Sequence, residues 1–251
     1  MINFENYEFF YEPFPHCVLN QFLSPKFYEE LCKEFPKDDY MEKLESKKSS
    51  EERFNKFRLD SKLNNTNFKK FIDNHKAVKE FYKFIKSDAF LKNLLSFLDK
   101  NYINLDIEIN TKNPIKFFLK KLQKKNLSFD FEFSSISIPN GFVVPHTDGR
   151  NKILGFVIPI IDNDEILKYS NLGTKILKAK TDKYKFNYEN RMVPIEETEE
   201  IRILPFKKNM MSVHVKTFNS LHAVGPFEEN ISSPIMRKSI SMFLKQDWLF
   251  N

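Results

Sequence analysis

Near the middle of the chain a histidine and an aspartate are separated by one residue, in Pro145-His146-Thr147-Asp148. In a β-strand residues i and i+2 point to the same face, so His146 and Asp148 can reach one metal ion from a single strand end. An imidazole and a carboxylate form a mixed donor pair that suits Fe(II), and a second histidine would complete a 2-His-1-carboxylate set with open positions. The alternative is a surface turn, because Gly149 follows directly.

The second histidine must come from a distant part of the chain, and two candidates compete. His222 follows a short polar loop and precedes a Gly-Pro pair, whereas His214 lies inside the apolar segment 210–215. On position we predict His222 as the ligand. We interpret His214 as a satisfied strand histidine or as a donor to one of the ligands, and we assign His16 and His75 structural roles.

A segment after His222 offers a receptor for an anion. Residues 237–244 alternate as a strand does, which places Arg237, Ser239 and Ser241 on one face. A guanidinium can grip a carboxylate with two parallel hydrogen bonds, and a hydroxyl two residues further on can add a third. The alternative is an arginine on a solvated strand edge, and Lys238, on the other face, is the second candidate for the anion.

The first half of the chain has the periodicity of helices. Ser24-Pro25 predicts a helix start, since proline is favoured at the first helical position. Between residues 67 and 101 the 3.6-residue period predicts two or three helices, the last of which begins at Ser87. Lysines at helical spacing over residues 116–125 predict an amphipathic helix with a solvated face.

The second half of the chain has the patterns of strands. From about residue 129 apolar residues alternate, with a predicted one-residue slip at Ser134-Ser135, and residues 153–161 form a continuous apolar run. Residues 37–65 lack apolar periodicity and predict a loop, and 162–200 predict a lid over a barrel mouth. Further predicted strands are 174–179, 184–188, 201–204, 210–215, 222–224 and 237–245. The sequence therefore predicts an α+β fold in which a helical layer packs on a β-barrel.

Composition limits the class of protein. The chain has 251 residues, 41% of them hydrophobic, and a mean hydropathy of -0.49, which is unlike a membrane protein. Cys17 and Cys32 predict reduced thiols, and no secretory signal is recognisable, so we expect a cytoplasmic protein. The net charge of +6 is spread along the chain, which argues against a nucleic-acid partner.

The metal and anion motifs together resemble the signature of the 2-oxoglutarate- and Fe(II)-dependent oxygenase superfamily, nearest its prolyl-4-hydroxylase-like branch. The resemblance implies a double-stranded β-helix (jelly-roll) in residues 129–251, supported by mainly helical residues 1–128, as one domain. It implies Fe(II) on the catalytic residues His146, Asp148 and His222. It also implies 2-oxoglutarate as the cosubstrate on Arg237 and Ser239, and activity supported by ascorbate.

The chain departs from the prolyl hydroxylases at two positions. Ser137 falls near the place where they carry a tyrosine, and we predict it as a cosubstrate contact; Arg237 stands where they carry a lysine. The expected reaction is therefore hydroxylation of an open class of C–H substrate: a peptide or amino acid, a small metabolite or a sugar. Lys152 lines the pocket or lies at its rim. The alternatives are a non-catalytic, cupin-like barrel that binds metal or sugar, and a module that binds a protein partner.

Overall fold

The computed structural model describes residues 2–43, 53–54, 56–105, 107, 126–227 and 235–247. Its strands are β1 Tyr7–Phe10, β2 His16–Asn20, β3 Glu42–Lys43, β4 Arg53–Phe54, β5 Lys56–Asp60, β6 Asn126–Ile138, β7 Phe142–His146, β8 Lys152–Ile160, β9 Lys175–Ala179, β10 Thr198–Ile203, β11 Met210–Val215, β12 His222–Val224 and β13 Ile235–Asp247. They form an eight-stranded sheet in the order β1-β2-β11-β8-β13-β6-β5-β3 and a five-stranded sheet in the order β10-β9-β12-β7-β4.

Of the five α-helices in the described residues, four cover the outer face of the eight-stranded sheet. The helices are α1 Pro25–Lys33, α2 Asn65–Asn74, α3 Lys76–Ile85, α4 Asp88–Lys100 and α5 Asp182–Lys185. The starts predicted at Pro25 and after Ser87 are confirmed, and the Ser87 hydroxyl accepts a hydrogen bond from the Phe90 amide at 3.2 Å. The helices predicted between residues 67 and 101 are confirmed as three.

The main core lies between helices α1–α4 and the sheet. Buried aromatic and aliphatic side chains of all four helices pack against the outward-facing residues of β6, β8 and β13. Along β13 this face carries Ile240, Met242 and Leu244, and each such burial contributes about 2 kcal/mol to folding. Because side chains alternate along a strand, Arg237 and Ser239 of the same strand point to the inner face.

The two sheets enclose a cavity between their inner faces, and every strand pair in the described residues is antiparallel. The predicted α+β fold, a jelly-roll barrel with an N-terminal helical layer, is confirmed. In the part of the chain that the structure describes, every helix falls short of the length and apolar character that a bilayer-spanning segment needs.

Two of the predicted segments are wrong. The loop predicted over residues 37–65 contains β5, which pairs with β6 inside the eight-stranded sheet. The strand predicted over residues 184–188 is instead the end of α5 and an irregular stretch. Its Phe186 is exposed and stacks on Phe218 with ring centroids 4.9 Å apart.

The slip predicted at Ser134-Ser135 is also wrong, because β6 and β13 pair without interruption over the whole strand. The apolar residues change face for another reason. The first half of β6 contacts the helices, whereas Ile136 and Ile138 point the other way and belong to a second, smaller cluster. Part of the predicted lid over residues 162–200 belongs to the barrel, since β9 and the start of β10 are strands of the five-stranded sheet. The predicted basic helix at residues 116–125 lies outside the described residues.

Candidate metal centre

The cavity between the sheets measures about 300 Å³ and takes lining residues from both. This volume is at the lower end of the range for small-molecule sites. The five-stranded sheet contributes His146, Val143 and His222, and the eight-stranded sheet contributes Arg237 and Ser239. Residues that are far apart in sequence therefore line one cavity.

Strand pairing brings the two predicted histidine ligands together. His146 at the end of β7 lies directly opposite His222 at the start of β12, and their ring centroids are 4.4 Å apart. In each ring Nδ1 donates to a backbone carbonyl two residues earlier, that of Val144 or Ser220, at 2.9 Å. Such a bond places the ring proton on Nδ1, so Nε2 is the lone-pair nitrogen, as in a histidine that binds a metal.

Asp148 completes the set. It follows β7 in a left-handed turn (φ 72°), a conformation that aspartate tolerates better than most residues, and it is buried. Its Oδ1 lies 3.7 Å from Nε2 of His146, and its Oδ2 lies 3.6 Å from Nε2 of His222. Two metal–ligand bonds of about 2.1 Å can span about 4.2 Å, so one first-row metal ion fits each pair. All three ligand atoms lie within 4.8 Å of one another.

The charge state of these groups suits a cation. Burial alone would raise the pKa of Asp148, but the Lys152 ammonium, a hydrogen bond from His214 and the neighbouring imidazoles hold it well below its usual range. Burial, reinforced by the neighbouring His146 and His214, lowers the pKa of His222 well below that of a free histidine. At neutral pH the site therefore presents a carboxylate and neutral imidazole, both ready to bind a metal.

His214 and Lys152 both contact the proposed carboxylate ligand. Nε2 of His214 on β11 lies 3.1 Å from Oδ2 of Asp148. This contact agrees with the interpretation of His214 as a donor to one of the predicted ligands. The Lys152 ammonium lies 2.6 Å from Oδ1 of Asp148, and the side chain lines the cavity. Gly155 makes room for the histidine: a Cβ there would lie 2.2 Å from a ring carbon of His214.

Arg237 and Ser239 lie in the cavity wall formed by β13, together with Ser241; we call these three residues the β13 wall. Arg237 is 2% exposed; its Nε donates to the Leu172 carbonyl, and its guanidinium stacks on the Phe206 ring with a 4.7 Å separation. No carboxylate of the described residues pairs with it. Burial lowers the pKa of this guanidinium to about 9, so it stays charged at neutral pH.

The structure does not bring Ser137 together with the other predicted site residues. Ser134 and Ile136 of β6 line the cavity, and Ser137 is on the opposite face of the strand. Ser137 was predicted from its place near the tyrosine of the prolyl hydroxylases and not from the alternation of β6. Lys238 also points away from the cavity and pairs with Asp162 at 2.6 Å.

Sequence reasoning missed one charged wall of the cavity. Lys56, Arg58 and Asp60 of β5 line it with Glu132 of β6, and we call these four residues the β5 wall. Lys56 pairs with Glu132, and Arg58 lies 3.3 Å from Asp60 and 3.6 Å from Glu132. The sequence contains a signal for this strand. Within Lys56–Asp60, charged residues alternate with Phe57 and Leu59, as in a strand with a polar inner face.

No protein-family model and no curated protein matches the sequence. The chain is similar to a solved prolyl-4-hydroxylase of Pseudomonas putida at 11% identity, over 92% of each chain, with a TM-score of 0.49. It is similar to a prolyl hydroxylase of Trichoplax adhaerens, solved with a hypoxia inducible factor peptide fragment, at 11% identity over 92% of this chain and 83% of that one (TM-score 0.44). It is also similar to HygX of Streptomyces hygroscopicus, solved with nickel and 2-oxoglutarate, at 6% identity over 92% and 82% (TM-score 0.46). At these identities the similarities concern the fold alone.

Proposed function

We propose that this protein is a 2-oxoglutarate- and Fe(II)-dependent dioxygenase that hydroxylates a C–H bond of a small or peptidyl substrate. One observation carries the proposal: a single cavity holds a metal-capable set of two imidazoles and a carboxylate, and also a buried guanidinium that no described acid neutralises. The first feature implies a metal and the second implies an anionic ligand. Both are needed for a reaction in which a 2-oxo acid is consumed.

His146, Asp148 and His222 would hold the iron. Two neutral nitrogen donors and one carboxylate on one side of an ion are the donor set typical of non-haem Fe(II) oxygenases. Bound Fe(II) would supply the electron transfer by which O2 oxidises 2-oxoglutarate to succinate and CO2 and inserts its second oxygen atom into the substrate C–H bond. The protein residues bind and orient the reactants and exclude water.

The β13 wall would hold 2-oxoglutarate. Arg237 can donate two parallel hydrogen bonds to the distal carboxylate, and the Ser239 hydroxyl, which is buried on the same face, can donate another. An anion there would neutralise the buried guanidinium and offset its lost hydration. Phe206 stacks on the guanidinium and so restricts its orientation.

The substrate would occupy the part of the cavity beside the β5 wall. Lys56, Arg58, Asp60 and Glu132 make that part polar, which favours a small metabolite, a sugar or an amino-acid or peptide side chain over an apolar molecule.

We further propose that the whole chain acts as one domain in a reducing compartment such as the cytoplasm, where the buried, unpaired Cys17 would remain reduced.

The test is succinate formation by the full-length protein in air with Fe(II), ascorbate and 2-oxoglutarate, with candidate substrates screened for a gain of one oxygen atom. We expect Asp148→Ala to abolish succinate formation. Arg237→Lys should require a higher 2-oxoglutarate concentration, because one ammonium cannot reproduce the paired hydrogen bonds. Lys238→Met is the matched control, since this neighbouring cation points away from the cavity.

The alternative of a non-catalytic, cupin-like barrel makes a different prediction. Such a protein would bind a metal at the same three residues but would show no affinity for 2-oxoglutarate. Calorimetric titration of 2-oxoglutarate into Co(II)-loaded protein separates the two cases without a known substrate. Metal binding without cosubstrate binding would contradict the dioxygenase proposal.

A further inference from the structure

Two protein groups contact the carboxylate of Asp148 from different sides. The Lys152 ammonium lies 2.6 Å from Oδ1, and Nε2 of His214 lies 3.1 Å from Oδ2. Both oxygens of the carboxylate therefore have a protein partner. If Asp148 also binds an ion, as the proposed function requires, the ion would bind beside one of these protein partners and share the carboxylate with it.

His214 is held in place. It is buried in the middle of the eight-stranded sheet, paired with Gly155 of β8 on one side and with His16 of β2 on the other. Its ring lies over Gly155 so closely that a Cβ at that glycine would lie 2.2 and 2.4 Å from two ring atoms. The imidazole fills the space that the missing side chain leaves, so its contact with Asp148 is fixed by packing.

Lys152 is less confined by packing than His214. It is the first residue of β8, and its side chain is 21% exposed, compared with 6% for His214. Its ammonium also lies 3.2 Å from the centroid of the Phe243 ring, so a cation–π contact remains when the bond to Asp148 is broken. A lysine side chain is long and flexible enough to turn from one partner to the other.

The two contacts differ in charge as well. A neutral imidazole N–H can donate to one carboxylate oxygen while the other binds a metal ion, which is a common arrangement around metal sites. An ammonium beside the same carboxylate instead repels the incoming cation and occupies Oδ1. We propose that the two residues act on the metal in opposite directions: His214 positions Asp148 for the ion, and Lys152 competes with the ion for Asp148.

The experiment measures the affinity of the full-length protein for Co(II) by competition with a chromophoric chelator. We expect the dissociation constant to fall about tenfold in Lys152→Met, the size of effect for one hydrogen bond to a charged group. We expect it to rise by about 10- to 100-fold in His214→Gln, as for other residues that orient a metal ligand. Gly155→Ala, which displaces the ring without removing it, should weaken Co(II) binding in the same direction.

Lys216→Met is the matched control for charge. The Lys216 ammonium bonds the Thr217 carbonyl at 3.1 Å and interacts with Asp148 only over a longer range than an ion pair, so its removal should lower the dissociation constant by clearly less than the removal of the Lys152 ammonium. Thermal unfolding without added metal reports damage to the fold, and Lys152→Met should lower the melting temperature because a buried carboxylate loses a partner. If Lys152→Met binds Co(II) more tightly while its melting temperature is lower, the tighter binding cannot result from damage to the fold.

Unchanged or weaker Co(II) binding in Lys152→Met overturns the competition, and unchanged binding in both His214→Gln and Gly155→Ala overturns the positioning role. A wrong assignment of the three metal ligands would give a different result. In that case His222→Ala binds Co(II) as tightly as the unsubstituted protein, whatever the Lys152 and His214 variants do.

Discussion

Two arginines line the same cavity from the same face of the eight-stranded sheet, and their surroundings differ. Arg58 in the β5 wall lies 3.3 Å from Asp60 and 3.6 Å from Glu132, so its charge is neutralised within the protein. Arg237 in the β13 wall donates to one backbone carbonyl and stacks on one aromatic ring, and no described carboxylate pairs with it. Of the two, Arg237 is the more deeply buried.

The difference separates a structural charge from a functional one. A buried charge with a protein partner stabilises its own surroundings, and the free energy of the pair is contained in the fold. A buried charge without a partner is unfavourable for folding, and a site that binds an opposite charge is the simplest reason for a protein to keep one. We therefore expect substitutions in the β5 wall to change stability, and substitutions in the β13 wall to change ligand binding.

The largest effect is expected for Glu132→Gln. The change removes the acid that neutralises both Lys56 and Arg58 and leaves two buried cations with one carboxylate, so the free energy of unfolding should fall by about 3 kcal/mol. Chemical denaturation measures this. Asp130→Asn on the same strand is the control: its pair with Lys245 is partly exposed, and its loss should cost less than about 1 kcal/mol.

Glu132→Gln should leave the Co(II) dissociation constant within about threefold, because long-range electrostatic effects on the metal are screened at ordinary ionic strength. If the variant keeps its stability but loses 2-oxoglutarate binding, the β5 wall binds the cosubstrate and the comparison between the two walls is reversed.

The next effect is expected for Arg237→Met. Loss of a buried, doubly hydrogen-bonded carboxylate receptor should raise the 2-oxoglutarate dissociation constant about 100-fold, which corresponds to about 2.7 kcal/mol. The free energy of unfolding should change by less than about 1 kcal/mol, because relief from burying the charge offsets the lost bond to the Leu172 carbonyl. Calorimetry on Co(II)-loaded protein and denaturation of the same samples check both parts. A loss of stability as large as that in Glu132→Gln would make Arg237 a structural residue.

The sequence predicts that His146 and Asp148 lie together because short-range rules govern their placement. His146 and Asp148 are two residues apart at a strand end, so strand alternation alone puts them on one side. His222 was preferred over His214 because His222 follows a short polar loop in the sequence. The pairing of β12 with β7, which sets His222 opposite His146, could not be derived from the sequence, since register between distant strands is decided by tertiary packing.

The β5 wall was missed because it reverses the usual pattern. A strand is recognised by its apolar face, and β5 has charged residues on the face toward the cavity, which made the segment resemble a loop. The charges are tolerated there because Glu132 on the neighbouring strand neutralises two of them. That partner is 76 residues away from Lys56 and carries no local signal. Ser137 was predicted from its place near a tyrosine of the prolyl hydroxylases, and the uninterrupted alternation of β6 puts it on the face away from the cavity.

The smallest effect, and the finest test of which face of each strand meets the cosubstrate, compares two serines. Ser239 is 2% exposed in the β13 wall, whereas Ser137 lies outside the cavity. We expect Ser239→Ala to raise the 2-oxoglutarate dissociation constant about fivefold, equivalent to about 1 kcal/mol for one hydrogen bond, and Ser137→Ala to leave it unchanged. Both are measured by calorimetry on Co(II)-loaded protein. A reversed result would mean that β6 presents its opposite face to the cosubstrate, and the assignment of Arg237 as its receptor would fail with it, because Arg237 and Ser239 share their face of the sheet.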